Sequence, residues 1–241
     1  MDAYQDDLAY IHDMGYGDFA RDAAPGLLNI LGQGGIRKGL VIDLGCGSGW
    51  WARQLVNAGY EVLGIDLSAS LIELARQRVP KGEFITRSFL EADLSPCEAV
   101  TSLGECFNYL FDERNNLSQL RQLFRRIYAA LRPGGLLVFD IAEPGRGQGR
   151  QQSHRQGADW AALVDYESDP IRQQLTRRIT TFRQVGTAYR RGHEVHQLQL
   201  YRGADMADEL RQVGFRVRLV RGYGPFRFPK SYVGFIARKP Q

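Results

Sequence analysis

The chain is short of cysteine, of histidine and of long apolar runs, and each shortage removes a class of protein. Its three cysteines, Cys46, Cys97 and Cys106, are an odd set without metal-like spacing, so neither a disulfide framework nor a zinc site is expected. They read as reduced thiols, and a cytoplasmic location is the expectation. No apolar stretch approaches the roughly 18 residues that a membrane helix needs. The opening MDAYQDDLAYIHD is acidic and has no apolar centre, so no secretory segment is expected. Lysine is scarce beside arginine, and the arginines are scattered rather than interleaved with aromatics, which speaks against a nucleic-acid surface.

What is present suits a packed fold. With 44% hydrophobic and 24% charged residues, the 241-residue chain can bury a core as one domain, or as one domain with a sizeable insertion. The net charge of +4 hides an asymmetry. Residues 1–145 carry 13 Lys+Arg against 19 Asp+Glu, whereas residues 146–241 carry 18 against 8. Such a basic C-terminal portion either meets an anionic partner or simply solvates its arginines.

Periodicity divides the chain. Residues 3–31 have helical spacing, with Pro25 expected near a helix start. Leu40 to Leu44 reads as a first strand, Trp51 to Asn57 as a helix and Glu61 to Asp66 as a second strand. Ser68 is a candidate N-cap for the next helix. Phe84 to Thr86 and Ala99 to Leu103 read as strands, Leu117 to Leu131 as an amphipathic helix stopped by Arg132-Pro133-Gly134-Gly135, and Leu136 to Ile141 as a fifth, doubly buried strand. This alternation predicts an α/β fold with a doubly wound parallel sheet, whose ligands sit beyond the carboxyl ends of the strands. Residues 144–157 are rich in Gly, Gln and Arg and read as a loop. Alternation then predicts three antiparallel strands at Trp160 to Tyr166, Leu175 to Gln184 and His193 to Tyr201. A helix from Ala204 to Val213 and a strand pair, Phe215 to Arg221 with Tyr232 to Arg238, close the chain, joined by a turn at Gly222 to Pro229.

The first strand runs into Gly45-Cys46-Gly47-Ser48-Gly49. A phosphate loop would need a Lys that nothing after Gly49 supplies. A dinucleotide turn wants its third glycine where Trp50 stands. The spacing is GxGxG, which lets a ligand lie on the backbone and eases the chain into its helix. Asp66 ends the second strand 17 residues after Gly49, where an acid can accept hydrogen bonds from vicinal ribose hydroxyls. The competing reading of Asp66 as a helix cap is weakened by Ser68, which already suits that task.

VIDLGCGSGWWA, GIDLSASLIELAR and LRPGGLLVFDI resemble the class I S-adenosylmethionine-dependent methyltransferases, over residues 38–141 and, more weakly, 203–238. The resemblance implies a Rossmann-like seven-stranded sheet with a reversed last strand. It implies S-adenosylmethionine as cofactor, with its methionine part over Gly45, Cys46 and Gly47, its amine near Asp43 and its ribose at Asp66 and Leu67. The family places an acid after strand three to meet adenine. Here that place reads Arg87-Ser88-Phe89, so Ser88 is the expected hydrogen-bonding group and Phe89 the apolar wall. The end of strand four, Leu103 to Tyr109, is expected at the sulfonium, with Gly104 allowing close approach.

Methyl transfer from a sulfonium is an in-line displacement, so a protein contributes mainly proximity, and a base only when the acceptor must lose a proton. Glu105 and His196 are the catalytic candidates. His196 alternates with Leu198 and Leu200 on a face expected to point inward, and its competing role is that of a hydrogen-bonded core histidine. Glu105 competes with a purely structural acid. His12 falls in an N-terminal helix placed to cover the cofactor, and His154 in the polar loop. Residues 1–143 and 202–241 are expected to form the cofactor-binding core. Residues 144–201 are expected to form a small antiparallel β insertion after strand five that covers the acceptor, with His196, Arg177 and Arg178 bearing on it. The resemblance with such an insertion points to a small-molecule acceptor, with an anionic one left open by the basic charge. A nucleic-acid methyltransferase and a non-catalytic cofactor-binding subunit are the alternatives.

Overall fold

The computed structural model describes residues 4–148 and 151–241. Strands β1 (Leu40–Leu44), β2 (Glu61–Asp66), β3 (Glu83–Thr86), β4 (Cys97–Ser102) and β5 (Leu131–Ala142) are mutually parallel where they pair. Helices α1 (Asp6–Tyr16) and α2 (Asp18–Gln33) precede β1. Helices α3 (Trp50–Asn57), α4 (Ala69–Arg78) and α5 (Leu117–Ala130) connect the strands. Because helices cover both faces, the strands are apolar on both sides, as with Val41 and Ile42 in β1. One face packs on α2, α3 and α4 through Leu27, Leu31, Leu55 and Ile72. The other packs on α5 through Leu120, Leu123, Phe124 and Ile127.

Local signals set the helix ends. The Ser68 hydroxyl accepts from Leu71 N at 3.2 Å and caps α4, while Asn116 accepts from Gln119 N at 3.1 Å and caps α5. After β5 comes a separate sheet of β6 (Gln151–Gln156), β7 (Trp160–Asp169), β8 (Gln174–Val185) and β9 (Ala188–Gln199), all antiparallel and in chain order. The chain then returns through α6 (Gly203–Val213), which ends at Gly214 in the left-handed region, φ 115°. Strand β10 (Arg216–Val220), a short pair β11 (Gly222–Tyr223) and β12 (Phe226–Arg227), and β13 (Tyr232–Arg238) follow. The main sheet has the order β10-β13-β5-β4-β1-β2-β3, with β13 antiparallel to both neighbours. Strand order reverses between β4 and β1, which opens a crevice at their carboxyl ends.

The second sheet turns one face inward. Tyr166, Arg177 and His196 form one row across it, and Val164, Ile179 and Glu194 the next. Helix α1 lies on this face, with Leu8 against Val164 and Ile179, and Ile11 against Trp160 and Ala162. It therefore joins the two sheets.

Several expectations need correction. Pro25 sits inside α2, not near its start. Pro25 costs one helical hydrogen bond there, offset by burial of Ala23, Ala24, Leu27 and Leu31 around it. The helix expected from residue 3 begins at Asp6, and Ala3 lies outside the described residues. The loop expected at 144–157 contains β6. All six of its side chains are exposed, so no alternation marked it, and its pairing with β7 is what makes it a strand. Gly149 and Arg150 of that stretch lie outside the described residues. The third strand of the expected trio starts at Ala188, five residues early, for the same reason: Ala188 to Arg191 are exposed.

The segment after β4 is knotted to both sheets by one side chain. Buried Asn108 donates from Nδ2 to Ala142 O (3.0 Å) and Gln199 O (2.6 Å), and its Oδ1 accepts from Ala142 N at 3.0 Å. Asn108→Ala leaves those buried groups unpaired and is expected to destabilise the fold by about 2–4 kcal/mol. Urea unfolding should show a lower midpoint with an unchanged slope, and an unchanged midpoint would show the knot to be dispensable.

Candidate functional site

The turn after β1 leaves its backbone open. Gly45, Gly47 and Gly49 all have positive φ (72°, 53° and 79°). A Cβ on Gly45 would run into the Cys106 thiol, at 2.5 Å. A Cβ on Gly47 or Gly104 would meet nothing within 4 Å, so the space above both backbones is open. Asp66 reaches across this turn: its Oδ2 accepts from Gly47 N and its Oδ1 from Ser68 N, each at 2.9 Å. Burial raises its pKa while the backbone donors oppose the rise. Asp66 thus shapes the glycine turn and also starts α4, so both readings of this acid have a physical basis. Beneath the turn, Trp51 Nε1 donates to Thr101 Oγ1 (3.1 Å), which donates to Asp43 Oδ1 (2.7 Å). Burial pushes the Asp43 carboxyl up to about 7, against the lowering pull of Thr101.

One cleft runs over the ends of β4, β1, β2 and β3. Asp43, Gly45, Cys46, Gly47, Asp66, Leu67, Ser88, Phe89 and Gly104 all line it. At its β3 end, the Ser88 hydroxyl donates to Asp112 Oδ2 at 2.6 Å, and Leu67, Phe89 and Phe111 supply apolar walls. Tyr4, Leu67, Ser88, Phe111 and Asp112 separate this cleft from a wider groove that continues to the β8–β9 hairpin.

The two catalytic candidates stand one layer back. Gly104 and Glu105 both have positive φ, 84° and 58°. The strain at Glu105 is offset by Asp140 at the end of β5, which accepts from Gly104 N (3.0 Å) and Glu105 N (2.8 Å). Burial raises Asp140 to about 7, although these amides oppose the rise. The buried Glu105 carboxylate pairs with Arg177, whose guanidinium also donates to the Tyr109 hydroxyl at 2.7 Å. Glu105 Oε2 and Arg177 Nε are buried without a hydrogen-bond partner among the described residues. His196 does face inward, but its Nε2 is held by Glu194 Oε2 at 2.9 Å, and the rings of Tyr4, Tyr109 and Phe111 surround it. Arg178 points to the opposite face and pairs with Glu167 at 2.7 Å, away from the cleft.

The sequence reading passed over most of the cleft's roof. Tyr4, Tyr16, Phe19, Trp50 and Asp112 line the cleft, and so does His12. His12 Nδ1 is buried without a partner among the described residues, and burial lowers its pKa to about 4, so the ring is neutral at pH 7. The signal available was Asp13, an acid inside a helical pattern. It is buried, and it accepts from Ser48 Oγ (2.6 Å), Trp50 Nε1 (2.9 Å) and Arg78 (2.8 Å), which pins α1 to the glycine turn. The basic insertion also finds its partners inside the chain. Arg183 and Arg190 pair with Asp7, Arg155 with Asp18, and Arg177 with Glu105.

These features fit S-adenosylmethionine: open space over two glycines, an acid at the end of β2, and a buried acid with a raised pKa where a cationic amine would sit. Among the described residues no group of His, Cys, Asp and Glu suits a metal ion. Residues 41–135 match the family model described as "Methyltransferase domain". A putative methyltransferase of Geobacillus sp. is 34% identical over 107 residues, covering 42% of this chain and 41% of the relative. The trans-aconitate 2-methyltransferase of Paracidovorax citrulli is 32% identical over 128 residues, covering 52% and 46%. The chain thus spans less than half the length of these curated relatives. An S-adenosylmethionine-dependent methyltransferase structure from Clostridium acetobutylicum superposes with a TM-score of 0.83 over 98% of both chains, at 16% identity. A sugar N-methyltransferase of Streptoalloteichus sp superposes at 0.79 over 100% of this chain and 97% of that one, at 18% identity. Residues 41–135 thus match a methyltransferase domain, and the fold of the chain is similar to that of S-adenosylmethionine-dependent methyltransferase structures.

Proposed function

We propose that the protein transfers a methyl group from S-adenosylmethionine to an oxygen or nitrogen atom of a small metabolite. The observation that carries this reading is that the nine expected cofactor residues line one cleft roofed by His12 and Tyr16 of α1, the helix on which the inner face of the second sheet packs. Gly45, Gly47 and Asp43 would hold the methionine part, Asp66 and Leu67 the ribose, and Ser88 and Phe89 the base. The cofactor supplies an electrophilic methyl group already activated on sulfur. The protein then has to align an acceptor and exclude water. His12, Tyr16, Phe19 and Tyr109 form the end of the cleft available to that acceptor. Neutral His12 offers a proton acceptor there if its Nδ1 lone pair is free. Glu105 Oε2, behind Tyr109, is the second candidate to orient the acceptor or take its proton. Residues 144–201 would act as the acceptor-side cover, with Arg177 holding Glu105 in place. His196 would act through Glu194 as a positioning residue. The relatives' names span a carboxylate acceptor, in trans-aconitate, and a sugar nitrogen, so they support the small-molecule class and not one atom. Internal pairing of the insertion's arginines weighs against a nucleic-acid substrate.

Calorimetry should show binding of S-adenosylhomocysteine and none of NAD. Asp66→Ala should weaken that binding by about 1.5–3 kcal/mol, the range for hydrogen bonds to a charged group. Heat from NAD alone would overturn the assignment. Turnover of S-adenosylmethionine in the presence of a metabolite library separates an enzyme from a mere binding subunit.

Asp43 generates a proton-linkage test. Its pKa near 7 leaves it partly protonated at pH 7, and a cationic amine beside it favours the ionised form. Binding of S-adenosylhomocysteine at pH 7 should therefore release protons, read as different apparent enthalpies in phosphate and Tris buffers. Asp43→Asn should remove the difference. Equal wild-type enthalpies would place the amine elsewhere.

On the acceptor side, Glu105→Gln should lower kcat by about tenfold or more, in the range of acid–base contributions, with S-adenosylhomocysteine affinity nearly constant. Loss of cofactor binding in a variant with a normal thermal transition would put Glu105 in the cofactor site instead.

A further inference from the structure

Two arginines near the acceptor end of the cleft each keep a buried N–H without a partner. Arg146, in the turn after β5, lays its guanidinium over the ring of Tyr232, 5.4 Å away. Among the described residues its buried Nε has no hydrogen-bond partner. The acid nearest to it in sequence, Glu143, is already engaged: its Oε1 accepts from Gly203 N (3.0 Å) and its Oε2 from Arg221 (2.6 Å). Arg177, on the inner face of β8, directs its two terminal nitrogens to Tyr109 and Glu105. Its buried Nε likewise has no partner among the described residues.

Both arginines rest on one aromatic patch. The guanidinium carbon of Arg177 is 5.8 Å from the ring centres of both Tyr109 and Tyr166. Tyr109, Tyr166 and Tyr232 pack in a single cluster with Leu175 and Leu198. Gly147, next to Arg146, lies so close to Leu175 that a Cβ there would stand 2.6 Å from Leu175 Cδ1. Leu175 and Arg177 are two residues apart on β8 and so share its inner face. The patch adjoins the cleft, because Phe19 and Tyr109 pack in this cluster and also line the cleft.

A buried guanidinium N–H has lost its hydration, and that loss is offset by a hydrogen-bond acceptor, best by a charged one. The charges of the patch do not balance from within. Glu105 neutralises Arg177, and Asp18 neutralises Arg155 of the nearby β6, which leaves the charge of Arg146 over. A single negative charge balances it. A phosphoryl group, with close to two charges at pH 7, would leave a surplus in a buried place. We propose that Arg146, together with the unpartnered Nε of Arg177, is a carboxylate anchor for the methyl acceptor. The acceptor is then a small carboxylic acid, held by its carboxylate over the tyrosine patch while the rest of it reaches toward the sulfonium. Arg146 is a binding residue on this account.

This inference rests on the cofactor reading proposed above, and the experiment separates the two. The full-length protein is titrated by calorimetry with S-adenosylhomocysteine. Saturated with it at pH 7, the protein is then titrated by ligand-observed NMR with acetate and benzoate, and with their uncharged amides, acetamide and benzamide. The wild type should bind each carboxylate about tenfold or more tightly than its amide, the size of one hydrogen bond to a charged group. Arg146→Gln should bring that ratio to within about threefold while S-adenosylhomocysteine affinity stays constant. Arg146→Lys keeps the charge but loses the planar fork, and should fall between the two. Arg155→Gln removes a cation that Asp18 already neutralises, so it should keep the wild-type ratio. An equal loss in Arg155→Gln and Arg146→Gln would reduce the preference to general attraction by a basic surface, and overturns the inference. A wild type that does not prefer the carboxylates overturns it, as does a wild-type ratio in Arg146→Gln. Tighter binding of inorganic phosphate than of either carboxylate overturns the choice of ligand class. No heat from S-adenosylhomocysteine in a folded wild type sinks the cofactor reading itself, and the acceptor role of the anchor with it.

Discussion

A buried ion pair between Asp13 and Arg78 holds the site together. Asp13 belongs to α1 and Arg78 to the last turn of α4, and both also grip the glycine turn: Asp13 through Ser48 and Trp50, Arg78 through the Ser48 carbonyl and the Trp50 ring, 4.0 Å away. Desolvating such a pair is costly, and it persists only because the remaining lone pairs and N–H groups are also used. Once α1 is fixed there, its opposite side presents Leu8 and Ile11 to the second sheet. The roof of the cleft and the placement of the insertion both follow from that one anchored helix.

The N-terminal end of α1 is clasped in the same way. Glu194 accepts from Tyr4 N and Gln5 N, at 3.1 and 2.8 Å, and also holds His196. Ser68 donates to Tyr4 O at 3.1 Å, so the strap before α1 touches the cofactor-binding core on one side and β9 on the other. Asp7 adds pairs to Arg183 and Arg190. Exposed pairs of this kind contribute little individually. Their importance is directional, since an acidic N-terminal portion and a basic insertion can join only in this arrangement. The buried Glu105–Arg177 pair differs, because low local polarity strengthens it and Glu105 Oε2 has no hydrogen-bond partner among the described residues.

Two carboxyls at strand ends, Asp43 on β1 and Asp140 on β5, are both raised by burial to about 7. Asp140 spends its hydrogen-bonding capacity on the backbone of Gly104 and Glu105, and so fixes the wall beside which a methyl group would move. Asp43 keeps its second oxygen for other partners. The same residue type at equivalent strand ends thus does two jobs, according to which segment folds over it.

The strand–helix alternation, the open glycine turn and the cap at Ser68 were legible because each is a local property: period, missing Cβ, or a side chain three residues from its amide. That locality is why the parallel strands of the core could be read from residue order, whereas the reversed last strand and most of the expected cleft residues came from the family resemblance. Strand β6 was not legible, because an exposed edge strand has no apolar face to alternate and exists only by pairing with β7. Nor could spacing reveal that His12, Tyr16 and Asp112 complete the cleft, or that Glu105 meets Arg177, 72 residues away. Arg177 faces inward and Arg178 outward by the parity of β8, which depends on its register with β7 and β9. The sequence by itself determined the nucleotide-binding sheet and the groups at its strand ends, since backbone geometry there depends on neighbouring residues. Only tertiary structure decided which distant side chains close the cleft and where their protons point, because burial and pairing exist only once the segments have met.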